Sequence, residues 1–219
     1  MAIVILNFKA YKQAIGDGAL KLAQIAKEVS QQTGVRIIVA PQHTEISKTS
    51  LIIETIAQNI DPIDPGRGTG YLLADSVLQN GGIGSILNHS EHKMDFRELG
   101  VAVTKMREIG LKSFVCAKDT EEARQIAFLN PDFIAVEPPE LIGTGKSVST
   151  TQPEVVKNSV NAIQQVNKKV KILCGAGISN GLDAKKAKEL GTEGVLLASA
   201  FVLAKDPKAV LLEIANGLK

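Results

Sequence analysis

Short apolar runs alternate with amphipathic stretches along the whole of this chain. The runs are only four or five residues long and lack a polar face, which indicates strands buried on both sides of a sheet. Glycine, proline or a polar residue follows most of the runs, so the strands are expected to end there. The pattern predicts eight strands: residues 3–6, 36–40, 54–58 (the weakest), 84–87, 113–117, 133–137, 170–174 and 194–197.

The stretches between the predicted strands carry start and stop signals of helices. Three pairs of residues have the spacing of a capping box at a helix start. Glycines at positions 34, 110 and 191 are expected to end helices. Asp206 precedes a proline, which favours the first turn of a last helix. The other predicted helices cover residues 19–31, 45–48, 72–79, 179–190 and 198–204, and the capping pairs are Asp95 with Glu98, Asp119 with Glu122, and Thr151 with Glu154.

Strands that are buried on both sides and separated by helices indicate a parallel sheet covered by helices. Eight such units can close into a single (β/α)8 barrel, an α/β fold with a closed, parallel, eight-stranded sheet. An open doubly wound sheet is the alternative, but no G-x-G-x-x-G pattern follows the first predicted strand. No linker or shift in composition interrupts the pattern, so residues 1–219 are expected to form one domain.

Length, net charge and cysteine content limit the classes of protein to which this chain can belong. A chain of 219 residues can bury enough surface to fold without a disulfide or a metal ion. The formal net charge of +2 is too small to indicate a nucleic-acid partner, yet it is compatible with a small anionic substrate. The two cysteines lack the spacing of a zinc site, and the first residues do not resemble a signal peptide, which together favour a cytoplasmic location. No apolar run approaches the ~20 residues that span a bilayer.

Candidate chemistry is concentrated at the ends of the predicted strands. In a parallel barrel these ends share one rim, and that rim carries the catalytic residues. Lys9 follows the first strand, His89 follows the fourth, and Glu137 ends the sixth. Two prolines and a glycine-rich loop, residues 138–146, come directly after Glu137, which is typical of a general base beneath a closing lid. Small residues follow the seventh and eighth strands, where barrels often bind phosphate on backbone amides.

Each of these residues also has a plain structural explanation. A strand-end glutamate can cap a helix, a lysine after a strand can be solvated, and a histidine can be part of the core. Gly175 and Gly177 can serve only to make a tight turn. The joint placement of all of them at one rim favours the catalytic interpretation. His43 and His92 have no comparable position and are expected at the surface.

Five short motifs follow one another along the chain: Asn7-Phe8-Lys9, Ala57-Gln58-Asn59, Asn88-His89-Ser90-Glu91, Val136-Glu137-Pro138 and Ile142-Gly143-Thr144-Gly145-Lys146. In combination and in this order they resemble the triosephosphate isomerase family over nearly the whole chain. The short chain, the Pro138-Pro139-Glu140 segment and the Gly175-Ala176-Gly177 turn resemble the compact archaeal branch. Two positions depart from the family pattern, because Asn88 stands where glycine is usual and Ala198-Ser199 where a Gly-Gly pair is usual.

The resemblance implies the family's reaction, the interconversion of dihydroxyacetone phosphate and D-glyceraldehyde 3-phosphate through an enediolate, in glycolysis and gluconeogenesis. It implies that Glu137 moves the carbon-bound proton and that a neutral His89 donates a hydrogen bond to the carbonyl oxygen. A helix N-terminus at Ser90-Glu91 would keep His89 unprotonated. Lys9 would supply positive charge, with Glu91 holding it. No metal ion or organic cofactor is implied.

The resemblance also implies partners. A homo-oligomer is expected, a tetramer by likeness to the compact archaeal branch, with a dimer as the alternative. Residues 65–70 stand where the family has a protruding interface loop. No nucleic acid or membrane is expected as a partner, and the triose phosphate is expected to contact Asn7, Lys9, Ile142, Gly143, Gly177, Ala198 and Ser199.

Two other functions fit the same fold. A Schiff-base aldolase, or another sugar-phosphate enzyme, would need a desolvated lysine inside the barrel, for which Lys9 is the candidate. A non-catalytic barrel that binds a phosphorylated metabolite is the second alternative. Simple binding has no use for a base such as Glu137, which favours the isomerase.

Overall fold

All strands run parallel to one another and form a single sheet. In the computed structural model of the protein, the described residues are 2–138, 141 and 147–219. Every predicted apolar run except 54–58 forms a regular strand whose bounds lie within one residue of the prediction. The seven strands are β1 (Ile3–Asn7), β2 (Arg36–Ala40), β3 (Gly84–Leu87), β4 (Lys112–Ala117), β5 (Phe133–Val136), β6 (Lys171–Cys174) and β7 (Gly194–Leu197).

The sheet closes into a barrel through residues 54–57. The strand order β2-β1-β7-β6-β5-β4-β3 places β2 and β3 at opposite edges of the regular sheet. Between these edges, Thr55 pairs with Val39 of β2, and Ala57 pairs with Ser85 of β3. The expected third strand is thus reduced to two isolated bridges, one to each neighbouring strand. The predicted (β/α)8 barrel is confirmed, with its third strand as the weakest.

Alternate residues of each strand face two separate apolar cores. In β1, Val4 lies in the core between the sheet and the helices, and Ile5 lies in the core inside the barrel. Phe114 and Phe133 also lie inside the barrel, where their rings stack with centroids 4.5 Å apart. The interior is filled with side chains, as is usual for an eight-stranded barrel. Open cavities are therefore expected at the two ends of the barrel.

The helices pack on the outside of the sheet. Gly34 ends the first of them in the left-handed conformation, with φ 72°, as its position predicts. Within the part of the chain that the structure describes, no helix combines the length and the hydrophobicity that crossing a membrane requires. The α-helices are α1 (Asp17–Thr33), α2 (Ile46–Thr49), α3 (Ala74–Gln79), α4 (Phe96–Glu108), α5 (Thr120–Ala127), α6 (Val148–Thr151), α7 (Pro153–Val166), α8 (Gly181–Glu189), α9 (Ser199–Val202) and α10 (Pro207–Gly217), and Lys12–Ala14 and His43–Glu45 are 3-10 turns.

Most of the predicted helix caps are present. The side chains of Asp95, Asp119 and Asp206 each accept a hydrogen bond from a backbone N–H in the first turn of α4, α5 and α10. The prediction for Thr151 is wrong, because Thr151 is the last residue of α6 and α7 begins only at Pro153. A proline suits the first position of a helix, and it moves the start of α7 past Thr151.

Candidate active site

The carboxyl ends of β1, β3 and β5 bring three of the predicted residues together. Lys9, His89 and Glu137 line one cavity of 360 Å³ at this end of the barrel. Lys9 follows β1, His89 follows β3 and Glu137 directly follows β5. The same cavity is lined by three residues predicted to bind the phosphate: Gly177, Ala198 and Ser199.

Glu137 is a buried carboxylate with incomplete hydrogen bonding. Its side chain is 3% exposed, and its backbone N–H donates to the carbonyl of Ala117, which continues the pairing of β5 with β4. Among the described residues its Oε2 has no hydrogen-bond partner. Burial raises the pKa of Glu137 to about 7, against the opposing effects of a hydrogen bond with Cys116 and the charge of Lys9. A carboxyl group of this kind exchanges its proton near neutral pH.

His89 faces Glu137 across a gap. Its Nε2 lies 3.8 Å from Oε2 of Glu137, which is too far for a direct hydrogen bond. The backbone N–H of Glu91 donates to Nδ1 at 3.1 Å, so Nδ1 acts as an acceptor and Nε2 carries the proton. Burial, together with the charge of Lys9, lowers the pKa of His89 to about 4, although Glu91 opposes the shift. His89 is therefore a neutral donor directed at the cavity.

The expected helix N-terminus beside His89 is absent. Residues 90 and 91 form a turn, closed by a hydrogen bond of 2.8 Å from the N–H of His92 to the carbonyl of His89, and α4 begins only at Phe96. Without a helix N-terminus, burial is the main cause that disfavours the protonated imidazole, and the N–H of Glu91 makes Nδ1 the acceptor. The prediction of a neutral histidine is thus supported by a different physical cause.

Lys9 has a strained backbone that three side chains hold in place. Its φ is +47°, an uncommon value for a residue with a side chain. Asn7 Oδ1 accepts the N–H of Lys9 at 2.9 Å, and the carbonyl of Lys9 accepts from Gln42 Nε2 at 2.8 Å and Gln58 Nε2 at 3.0 Å. The ammonium group binds Glu91 Oε1 at 2.9 Å. Lys9 is therefore positioned at both its backbone and its charged end.

Asn88, a departure from the family pattern, is explained by its backbone and its side chain together. Its φ is +56°, a conformation that glycine adopts freely and that asparagine tolerates better than most residues. Its Nδ2 donates to the carbonyl of Cys116 at 2.9 Å and to Glu122 Oε1 at 3.2 Å, while its Oδ1 accepts from the N–H of Met94 at 3.2 Å. The side chain thus fastens the segment that carries His89 to β4 and α5.

The turn after β6 is shaped by a glycine and by a buried aspartate. Gly177 has φ +71°, which favours glycine. Asp183 of α8 accepts from both the N–H and the hydroxyl of Ser179, at 3.0 and 2.9 Å. Ser199 is the first residue of α9, where a backbone N–H has no acceptor inside its helix. Residues of both turns, Gly177, Ser179 and Ser199, line the cavity.

Gly175 is required by the close approach of the catalytic candidate. A Cβ atom at this position would lie 2.3 Å from Cγ of Glu137 and 2.7 Å from its Oε1. Such distances are far below van der Waals contact, so any larger residue would displace the carboxylate. The glycine therefore serves Glu137 in addition to making a turn.

Sequence analysis missed several of these contacts. Gln42 and Gln58 were given no role, although Gln58 belongs to a motif that the family shares. Cys116 is buried and free, and it hydrogen-bonds Glu137. The predicted substrate residues Ile142 and Gly143 lie outside the described residues, as does most of the predicted lid, residues 138–146. His43 and His92 are exposed, as predicted.

The sequence of the chain is similar to the sequences of one known protein family. The sequence model described as Triosephosphate isomerase matches residues 2–218. A relative named triosephosphate isomerase from Methanothermus fervidus is 51% identical, over 97% of this chain and 96% of the relative. Proteins of the same name from Methanobacterium bryantii and Methanocaldococcus jannaschii are 46% and 43% identical, and the alignments cover 98% and 97% of this chain and 96% and 98% of the relatives.

Proposed function

This chain belongs to the triosephosphate isomerase family, and we propose that Glu137, His89 and Lys9 carry out its reaction, the interconversion of dihydroxyacetone phosphate and D-glyceraldehyde 3-phosphate. The reaction makes the protein an isomerase that acts in glycolysis and gluconeogenesis. The observation that carries the assignment of residues is their meeting in one 360 Å³ cavity at the carboxyl ends of the strands.

Glu137 is the proposed base. It removes a proton from one carbon of the triose and returns it to the neighbouring carbon, and this role of a carboxylate opposite a neutral histidine is what is known of the family. Burial and the unpaired Oε2 make the carboxylate more basic than an exposed glutamate. A pKa of about 7 matches the base to neutral pH, where proton transfer in both directions is efficient.

His89 is the proposed hydrogen-bond donor to the substrate oxygen. Its Nε2–H points toward the space in front of Glu137, because Nδ1 is occupied by the N–H of Glu91. The gap of 3.8 Å between the two side chains leaves each of them free to contact a substrate. A neutral donor stabilises the developing oxyanion without having to lose a charge first.

Lys9 supplies the fixed positive charge of the site. Charge that is already in place when the enediolate develops needs no reorganisation, which makes it an effective catalytic contribution. Glu91 orients the ammonium group through the ion pair of 2.9 Å, and Asn7 orients the backbone of Lys9. Both act on the reaction through Lys9. Asn7 lines the neighbouring cavity that Lys9 and His89 share, and its predicted contact with the substrate rests on the family resemblance.

The phosphate is proposed to bind the amides of Gly177, Ala198 and Ser199, which line the cavity. The family resemblance adds the amide of Gly143 and packing by Ile142, with closure of residues 138–146 over the substrate. Closure would exclude water and protect the enediolate from loss of phosphate. Ala198 and Ser199 replace glycines of the family pattern without removing any backbone N–H, so the phosphate contacts are retained.

The isomerase explains the site better than the two alternatives. An aldolase would place its reactive lysine inside the barrel, where the end of β5 carries Glu137. Lys9 is ion-paired with Glu91, and formation of a Schiff base at its Nζ would break this contact. A protein that only binds phosphate gains nothing from a buried carboxylate. Full-length likeness to triosephosphate isomerases supports the first function and neither of the others.

We further propose that the protein is a cytoplasmic homo-oligomer, a tetramer with the dimer as the alternative. Support comes from a second cavity, of 560 Å³, in which Lys9 and His89 share a wall with Tyr71. Tyr71 is 58% exposed, and an exposed aromatic residue beside a cavity is typical of a protein interface. The exposed residues 65–67 and 69–70 precede it and suit the interface loop that the family resemblance implies.

A coupled assay with dihydroxyacetone phosphate tests the proposal. Glu137→Gln removes the base and keeps the shape, so we expect kcat to fall by about 10³-fold or more while substrate binding is nearly retained. Glu121→Gln is the matched control, because the same chemical change is made on the exposed face of α5. A Glu137→Gln enzyme whose kcat stays within about tenfold of the wild type would show that another group is the base.

A further inference from the structure

A second cationic site lies at the end of the barrel opposite the candidate active site. Here a cavity of 350 Å³ opens between the amino ends of the strands. Three strands begin with a cationic residue at this end, and two further cations come from the last turn of α4 and from the turn before β6. The five cationic residues of the wall are Arg36, Arg107, Lys112, Lys169 and Lys171.

Carboxylates neutralise only part of this charge. Arg36 binds Glu54 through two hydrogen bonds, and Lys112 binds Asp132 at 2.9 Å. In the ranges 2–138, 141 and 147–219, the other three cations have no carboxylate partner: Arg107, Lys169 and Lys171. Like charges collected around one cavity raise the local potential and attract anions. The cavity thus has an excess of positive charge although the whole chain carries only +2.

Two of the three unpaired cations, Arg107 and Lys171, have their charged groups held in place by other contacts. The Nη2 of Arg107 donates to the carbonyls of Leu129 and Asn130, both at 2.8 Å. Lys171 lies over the ring of Phe133, with its Nζ 5.4 Å from the ring centroid. The N–H of Lys169 donates to Oδ1 of Asn167, which fixes the turn that precedes β6. Because the charged groups of Arg107 and Lys171 are already oriented, less ordering would oppose the binding of an anion.

From this geometry we propose that the cavity binds a short phosphate chain, two or more linked phosphates, at a site separate from the catalytic one. Three unpaired cations exceed what a single phosphate group needs, and they match an anion of several charges. A volume of 350 Å³ lies at the lower end of the range of small-molecule sites. The aromatic ring on the described part of the wall, Phe133, is only 4% exposed, so a nucleobase finds no stacking surface there. The phosphate chain itself is the recognised group.

Calorimetric titration of the full-length protein with inorganic tripolyphosphate, at low salt, tests this site. We expect saturable binding that weakens as salt increases. The Lys169→Gln/Lys171→Gln variant should bind at least about tenfold more weakly, because two of the three unpaired charges are lost. Lys157→Gln/Lys185→Gln removes the same charge from exposed positions outside the cavity and should change the affinity less than twofold. Lys169→Arg/Lys171→Arg should restore binding.

Three results would overturn the proposal: absence of saturable binding, equal weakening by the two glutamine pairs, or displacement of tripolyphosphate by saturating triose phosphate. The last would mean that the anion occupies the catalytic cavity. A parallel titration with ATP identifies the source of the phosphate chain, since equal affinity points to free polyphosphate and tighter binding to a nucleotide. The isomerase activity of the Lys169→Gln/Lys171→Gln variant should be unchanged, so this test is independent of the proposed catalytic roles.

Discussion

Burial destabilises the ionised form of Glu137, and the proposed reaction uses the basicity that results. An ionised carboxylate at 3% exposure, with Oε2 unpaired among the described residues, is less stable than one in water, and this raises its pKa to about 7. His89 shows the opposite shift, because burial disfavours its cationic form. The lowered pKa keeps His89 neutral at neutral pH, while the raised pKa makes Glu137 a stronger base that is partly ionised there.

The pH dependence of the reaction follows from these two shifts. The base works only when it is ionised, so kcat/KM should rise with pH up to about 7, by nearly tenfold per pH unit well below that value, and level off above it. His89, with a pKa of about 4, stays neutral throughout this range. Initial rates at low substrate concentration from pH 5.5 to 9 measure the profile. A flat profile between pH 5.5 and 7 would contradict the raised pKa of Glu137.

Two substitutions of Asn88 distinguish the contribution of its left-handed backbone from that of its side-chain hydrogen bonds. Asn88→Gly keeps the left-handed backbone but loses three hydrogen bonds beside His89, so we expect a folded enzyme with kcat/KM lowered by about tenfold. Asn88→Ala loses the same bonds and adds strain at φ +56°, and its free energy of unfolding should be lower than that of Asn88→Gly by about 1 kcal/mol.

Urea unfolding and steady-state kinetics of the two Asn88 variants supply the measurements. Asn88→Gly acts as the control for Asn88→Ala, since the two differ only by the Cβ atom. An alanine variant as stable as the glycine variant would mean that the left-handed backbone is not under strain. Unchanged kinetics in both variants would mean that His89 is positioned without Asn88.

At the scale of elements, the pairing of neighbouring strands limits the size of the side chains that fit at their ends. β5 and β6 pair in register, with Val136 opposite Cys174, so the residues after them, Glu137 and Gly175, lie side by side. The carboxylate fits only because its neighbour lacks a side chain. Gly175 is therefore a requirement of the strand pair, and it cannot be understood from either strand alone.

Gly175→Ala tests that requirement. Its Cβ would lie 2.3 Å from Cγ of Glu137 and force the carboxylate away, and a displacement of about 1 Å can lower the rate by about 10²-fold. We expect kcat to fall by about that factor with little change in KM. Gly100→Ala in α4 is the matched control, because its Cβ would meet only Leu129, at 3.5 Å, and should leave activity unchanged. Comparable loss of activity in both variants would indicate a general effect of the added methyl group.

At the scale of the molecule, closure of the barrel brings together residues that are far apart in the chain. Residues 54–57 join β2 to β3 through single bridges and so complete the rim on which Lys9 and His89 meet. The same closure gathers the cations at the opposite end. One rim thus concentrates the proposed catalytic groups, while the other concentrates unpaired positive charge.

Tyr71 is the proposed anchor of the oligomer interface, and it lines the cavity that it shares with Lys9 and His89. Sedimentation of the wild type should give a mass that is a multiple of 23.3 kDa. If Tyr71 is an interface anchor, Tyr71→Asp should raise the dissociation constant of the oligomer by at least about tenfold. Leu182→Asp, at a residue that is 69% exposed on α8, is the control and should leave the mass unchanged. A wild type that sediments at 23.3 kDa at all concentrations would refute the oligomer.

Most of the fold could be predicted because its signals are local. Apolar runs gave strand bounds within one residue for seven of the strands, since a buried strand needs apolar side chains on both faces wherever it lies. The signal failed for residues 54–58, which form two isolated bridges in place of a regular strand, and for Thr151, where the proline at 153 moved the helix start. At Thr151 a neighbour in sequence overrode the local pattern.

The sequence by itself determined the alternation of strands and helices and the identity of the motif residues Lys9, His89 and Glu137, because periodicity and motif order depend only on the linear chain. Only the tertiary structure decided that Gln42 and Gln58 hold the backbone of Lys9. The tertiary structure likewise decided that burial keeps His89 neutral and that the N–H of Glu91 makes Nδ1 the acceptor. It also decided which cations meet at the far end of the barrel. The physical reason is that hydrogen bonds and charge interactions act over a few ångströms of space, and barrel closure sets those distances.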